Sequence, residues 1–496
     1  MPQQSAQPTS QPTTLGSRLL DLAALLLALG FGCWFWLYFF GYGHLVLSFE
    51  DWPLHAYYFD ITRLALNHGQ IPWIGNWSAH ATDKFLSVPE TLMWPHIVLL
   101  PWMSNGEFVA FHVCLLFSAG VWGWWELKKA LHWSREAFLL AAVAASFNGF
   151  VVSHLAAGHL MWCGCFLAPW LLLGLQKILA PDAPRFSWLP LAFSLFALFL
   201  LGAFHTAIWW GFFIGIACLV RPKTLVPASL ALAAAGAMAF FRILLAKLFM
   251  WEKFTFLTGY PSLRILLESF TTIKGYTPGA PSNIPLTGSQ LGWWEFDHYT
   301  GWVLLVFVVL TALATLVFWR KQIPFALPIA VASLGTAVLA YGDVYSWLYR
   351  MPLFSTERVA TRLITLSFLG LLFLALAGLE RLQTRRGRLF ARLLCVGVLA
   401  FAVHDLWAAA QPWLLFKLEA STPFSYYFPE LEKLKPTILP KAHQLGYRTA
   451  VITSTLFSLL VFAFLSALFV SPGMQQRVEG WLAAVRKACP KFPFSS

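Results

Sequence analysis

Charge is what this chain has least of. Asp, Glu, Lys and Arg together make up 11% of the 496 residues, and several runs of about 20 residues are almost free of them. Runs of that length can cross a bilayer as helices, and so many of them exclude a soluble globule. A disulfide framework is missing too. The seven cysteines (Cys33, Cys114, Cys163, Cys165, Cys218, Cys395 and Cys489) are odd in number, scattered and mostly inside apolar runs, so they imply neither paired bridges nor a zinc motif. Acids are scarcer than bases, 22 against 34. No basic groove studded with aromatics accompanies that excess, which excludes nucleic acid as a partner. The polar start MPQQSAQPTSQPTT has neither the basic residues nor the cleavage site of a signal peptide, so the first apolar run is expected to be retained.

What is present is a series of apolar spans separated by loops of two kinds. The reading is an all-α, polytopic integral membrane helical bundle of about 12 transmembrane helices. The spans fall near 19–40, 90–127, 136–152, 160–179, 188–201, 204–219, 225–249, 302–319, 325–341, 363–379, 393–413 and 450–470. Short connections carry Lys128–Lys129, Lys177–Arg185, Arg221–Lys223, Arg320–Lys321 and the cluster Arg381, Arg385, Arg386, Arg388 and Arg392. Short basic loops stay in the cytoplasm, so both termini are expected there. The organisation that follows is a disordered cytoplasmic N-terminus at 1–16 and a transmembrane domain at 17–470. Extracytoplasmic loops fall at 48–90, 251–300, 346–360 and 416–447, and a basic amphipathic tail at 471–496 suits an anionic membrane surface.

The opening loop concentrates acids at a membrane edge, where they are costly and often functional. Glu50 and Asp51 come first, then Asp60, with an amphipathic segment at 54–66 whose inward side is Leu54, Tyr57, Tyr58, Ile61, Leu64 and Ala65. A structural alternative for Asp51 is that it caps that helix. His154 and His159 occupy the turn after the third span, and Arg358 and Arg362 stand four apart before the tenth, a spacing that puts both on one helix face. All of these fall on the same side of the membrane in this topology.

An extracytoplasmic enzyme would need an activated donor delivered by the membrane, such as a sugar on a polyprenyl phosphate. Its acceptor hydroxyl needs a carboxylate base, for which Asp51 or Glu50 is the candidate. Its leaving phosphate needs cations, for which Arg358 and Arg362 are the candidates. His159, His154, His55 and Asp60 are the candidate substrate contacts. Glu295, Asp297 and His298 in GWWEFDHY form an E-x-D-H run that is a weak metal signal. No metal ligands are assigned; the cofactor stays unknown, with a divalent metal ion the one kind considered.

Four stretches, FEDWPLHAYYFD, LNHGQIPWIGNW, NGFVVSHLAAGHLMW and MPLFSTERVATR, the last leading into an apolar helix, together resemble the GT-C glycosyltransferase superfamily, in its YfhO-like bacterial branch. The resemblance implies a bundle with a juxtamembrane helix in the first extracytoplasmic loop, a lipid-phosphate-linked sugar donor, and an acid near Asp51 as base. It also implies residence in the bacterial inner membrane. The rival reading is a non-catalytic GT-C-like scaffold subunit of a larger membrane complex, with other membrane subunits as partners. A transporter ranks below both, because the spans are nearly free of charged residues apart from His205, Arg242 and Lys247 towards one end.

Overall fold

The computed structural model describes residues 15–44, 46–47, 51–73, 82–250, 256–275, 292–351, 354–382, 384–418 and 445–488. Glu50, most of the 416–447 loop and the first 14 residues lie outside them. The described chain is helical, with one two-residue strand pair joining Val46–Leu47 to Lys417–Leu418 in antiparallel register. In order the helices are α1 (Leu15–Phe39), α2 (Trp52–Asn67), α3 (Asn105–Leu131), α4 (Arg135–Ser146), α5 (Gly149–Ala156), α6 (Ala168–Ile178), α7 (Leu189–Leu200), α8 (Phe204–Leu219), α9 (Leu225–Met238) and α10 (Phe240–Phe249). They continue with α11 (Leu263–Thr271), α12 (Trp302–Ala314), α13 (Ala326–Leu339), α14 (Gly342–Leu348), α15 (Ile364–Leu379), α16 (Arg385–Ala410), α17 (Leu445–Val470) and α18 (Pro472–Ala488).

Among the described residues, eight helical segments are long and apolar enough to cross a membrane, or nine if α9 and α10 form one broken span. The expected spans at 188–201, 204–219 and 325–341 are present as the shorter helices α7, α8 and α13. The expected single span at 225–249 is instead bent by 69° between α9 and α10. No proline or glycine stands at that break. The turn lets Arg242, fully buried, donate to the carbonyls of Pro89 (2.6 Å) and Thr91 (2.7 Å) and to the Thr91 hydroxyl (2.9 Å). A buried guanidinium is costly without partners; its two terminal nitrogens find acceptors on a segment about 150 residues away, while Nε has none among the described residues. The expected second span begins only at Asn105, because Pro95 and Pro101 hold residues 95–102 in a 3-10 turn. Ser104 then starts α3 with a capping box to Glu107.

The centre of the bundle is α15, buried along its whole length and flanked by α4, α8, α12 and α13. A helix apolar all round and covered on every side is what a sequence such as ITLSFLGLLFLALAGL requires. Its opposite is α17, where Leu456, Leu460 and Val470 are exposed. In a membrane such residues face lipid.

The third apolar stretch is one span interrupted at Phe147–Asn148. Asn148 repairs the interruption: its amide donates to the carbonyls of Ala144 (3.1 Å) and Ala145 (3.0 Å), and its oxygen accepts from Val151 N (3.3 Å). Gly149 follows because the 297–299 segment packs there; a Cβ would lie 2.4 Å from Tyr299 N. The break therefore brings α5 against the 292–300 segment and carries His154 to it.

Candidate active site

The site is assembled where α2 begins, α5 ends, and the 293–295 turn meets the entry to α15. Asp51 holds the N-cap position of α2, followed by Trp52 and Pro53, but its side chain makes no capping hydrogen bond. The main chain is held instead by α5. Asp51 N donates to Ala157 O (3.1 Å), and Trp52 Nε1 donates to the carbonyls of Leu155 and Ala156, both at 3.1 Å. One helix start thus satisfies carbonyls that the end of the other leaves open.

Gly158 makes this approach possible. Its φ is +84°, and a Cβ there would stand 2.3 Å from Trp52 N. The next residue, His159, then faces Asp51, with Nε2 3.3 Å from Oδ2. Burial pushes the Asp51 carboxyl up, but His159 and His55 more than offset it, so Asp51 stays below its ordinary value. Its side chain keeps 44% of its surface exposed, which makes it the open edge of the cluster.

The interior edge is an ion-pair network. Arg362 grips Glu295 with two parallel bonds, Nε to Oε2 and Nη2 to Oε1, each 2.6 Å. Bidentate pairing of this kind is the strong form of the contact. Burial of Glu295 works against its charge, but Arg362, with His154 beside it, holds the carboxyl well below the usual range. The Thr361 hydroxyl donates to the Glu295 carbonyl, and the Trp162 ring lies 5.1 Å from the Arg362 guanidinium carbon. His154 Nε2 stands 3.5 Å from Glu295 Oε2 without hydrogen-bond geometry. Beyond Arg362, Glu357 accepts from Val359 N (2.9 Å), lies 4.0 Å from Arg362 Nη1, and faces His205 Nδ1 at 3.4 Å.

The residues singled out from the sequence separate here. Asp51, His159, His154 and Arg362 enter one connected cluster. His55, one turn along α2 from Asp51, is buried with Nε2 unpartnered among the described residues, and burial lowers it to about 4. Asp60 is engaged elsewhere, 2.6 Å from Arg63 Nη1 and 3.1 Å from Asn105 Nδ2. Arg358 and Arg362 do not share a helix face. Regular α15 starts only at Ile364, with a 3-10 turn over Ala360–Leu363 before it. Arg358 is exposed, and its carbonyl accepts from Leu257 and Thr258.

The E-x-D-H run is likewise not one site. A 3-10 turn over Trp293–Glu295 ends at Phe296, and the chain beyond it turns Asp297 and His298 to other neighbours. Glu295 faces Arg362, while Asp297 accepts from Tyr299 N (3.0 Å) and Trp413 Nε1 (3.2 Å) and is pushed up by burial to about 7. His298 Nε2 pairs with the Thr365 hydroxyl at 2.9 Å. Glu357 and His205 are site members that sequence reasoning passed over. The signal available for Glu357 was an acid directly before the arginine of STERVATR.

Three side chains could hold a cation: the donor atoms of His154, His159 and Glu295 all lie within 4.8 Å of one another. Chemically the cluster offers a half-exposed carboxylate, a guanidinium fixed by two buried carboxylates, and imidazoles between them.

The chain matches no protein-family profile and no curated protein. Among solved structures it is similar to the cryo-EM structure of the arabinofuranosyltransferase AftD from Mycobacteria, at 18% identity and a TM-score of 0.47. The similarity covers 79% of this chain but only 27% of that longer one.

Proposed function

We propose that the protein is a membrane glycosyltransferase of the GT-C type. It takes a sugar from a polyprenyl-phosphate donor at the extracytoplasmic face of a bacterial cytoplasmic membrane, with both termini inside. The observation that carries this reading is the pairing of a half-exposed Asp51 with a buried Arg362–Glu295–Glu357 network. A transfer needs an accessible base and fixed groups within reach of one substrate, and this network fixes the segment that carries the exposed Arg358. Support also comes from the four stretches resembling the superfamily, two of which contribute Asp51 and Arg362, and from the basic short loops.

In this reading Asp51 takes the proton of the acceptor hydroxyl. The acceptor oxygen bonds to the anomeric carbon while the bond from that carbon to the phosphate oxygen breaks. The polyprenyl phosphate leaves with the electron pair. Arg358, exposed on the segment that leads to Arg362, meets the phosphate, and Arg362, paired with Glu295 and Glu357, anchors that segment. Glu50, the neighbour of Asp51 in sequence, is the alternative acid for the role of base. His159 holds the Asp51 carboxylate in place, as a partner to a base should. Membrane lipids surround the donor's chain, and other membrane subunits are partners to be sought by mild extraction.

The test is transfer by the purified chain, in vesicles supplied with a panel of polyprenyl-phosphate sugars. Asp51→Asn should lower turnover by about 10²–10⁴-fold, the range typical of a lost general base. Arg358→Ala should raise the KM for donor with little change in kcat. If the wild-type chain transfers none of the donors, yet co-purifies with a defined set of membrane subunits, the scaffold reading replaces this one.

A further inference from the structure

We propose that His154, His159 and Glu295 form a binding site for a divalent transition-metal ion of the zinc class. The inference goes beyond glycosyl transfer and does not depend on it. Three separate parts of the chain supply the donors: the last turn of α5, the loop after Gly158, and the 293–295 turn. Their donor atoms lie within 4.8 Å of one another. Tetrahedral zinc with ligands at about 2.0–2.1 Å requires donors about 3.4 Å apart. His154 Nε2 and Glu295 Oε2, at 3.5 Å, already meet that spacing.

The histidines are prepared as ligands. His154 Nδ1 lies 3.0 Å from Phe150 O, which can only accept, so Nδ1 carries the proton and Nε2 presents a lone pair. That Nε2 is fully buried and has no hydrogen-bond partner among the described residues. His159 directs Nε2 at the Asp51 carboxylate, and its Nδ1 is buried without a partner among the described residues. A histidine whose second nitrogen is held by a carbonyl or a carboxylate is the usual arrangement around a metal. An unpaired buried nitrogen is otherwise costly.

Charge points the same way. Asp51, Glu295 and Glu357 stand against Arg362, so with neutral histidines the described side chains of the cluster carry three negative charges and one positive, a net of two negative. A dication balances that excess. Arg362 takes one lone pair from each Glu295 oxygen, and each oxygen keeps a second. Two imidazoles and one carboxylate favour zinc or cobalt over magnesium or calcium.

The experiment uses the full chain in detergent, stripped with chelator and titrated separately with zinc and cobalt. No donor sugar is present, so the result is independent of whether transfer occurs. One saturable equivalent is expected, with visible cobalt ligand-field bands that zinc abolishes. His154→Ala and His159→Ala should each weaken binding by more than the roughly 10–100-fold that loss of an outer-shell group causes. Asp51→Asn, which removes such a group, should fall within that range. Circular dichroism and gel filtration check folding, and His154→Gln and His159→Gln serve if the alanine variants do not fold. No saturable equivalent in the wild type, binding unchanged in both histidine variants, or binding of magnesium or calcium only would each overturn the proposal.

Discussion

Asp51 occupies the N-cap of α2, yet its carboxylate turns away from the helix and faces His159, Oδ2 to Nε2 at 3.3 Å. A capping aspartate contributes about 1 kcal/mol by accepting from the first turn. Here that bond is not made, and the carboxylate is left at the open edge of a buried polar cluster. The position looks like a cap in sequence, but in space its carboxylate belongs to that cluster.

The first consequence is a separation of stability from activity. Asp51→Asn removes no capping bond and little volume. Thermal unfolding in detergent should therefore shift by no more than the equivalent of about 0.5 kcal/mol, as for a surface change, while transfer is lost. A large drop in unfolding temperature would show that Asp51 is structural.

Gly158 can be isolated against a second glycine. Both Gly158 (φ +84°) and Gly69 (φ +63°) adopt a backbone that side chains rarely take, but a Cβ at Gly69 meets nothing within 4 Å among the described residues. Gly69→Ala should cost only the conformational penalty, about 1–2 kcal/mol. Gly158→Ala should cost clearly more, because the new methyl meets the Trp52 main chain, and it should also displace His159 from Asp51. Chemical denaturation of the two variants measures the difference directly; equal losses would contradict the close approach.

The Glu295–Arg362 pair should show strong coupling. Removing one partner leaves a buried charge uncompensated, which costs about 3–5 kcal/mol. Arg362→Ala is expected to fall in that range, since it strands both Glu295 and Glu357. Arg362→Lys should recover little of it, because an ammonium cannot reproduce the two parallel bonds. In a double-mutant cycle with Glu295→Gln, the second change should cost far less than it does alone. Additive losses would rule out the pairing.

Orientation has its own test. Arg386 lies exposed in the first turn of α16. A cysteine placed there, in a background freed of native cysteines, should resist an impermeant thiol reagent added to intact cells and react once the cells are opened. Labelling from outside would reverse the topology and move the proposed site to the cytoplasmic face.

The sequence by itself determined the helical class, most of the apolar segments, the helix that opens the first loop, and three chemically charged places along the chain. Each is a local property: an apolar run of sufficient length, a spacing near three and four, or a histidine turn between spans. At α2 the helix forms, but burial is not confined to the expected side: Tyr57, Tyr58, Ile61 and Ala65 are buried, Leu54 and Leu64 are only half-buried, and His55, Ala56, Phe59 and Thr62 are buried as well. Tertiary structure alone decided where the charges go. Glu295 meets Arg362 across 67 residues, and Arg242 meets Thr91 across 151. A buried charge takes whichever partner the packing brings within reach, and no short window of sequence contains both. The same reason separates Arg358 from Arg362. Their spacing promised one helix face, but the chain turns to pair Val359 and Ala360 with their neighbours before α15 begins. One arginine is left at the surface and the other is drawn into the core.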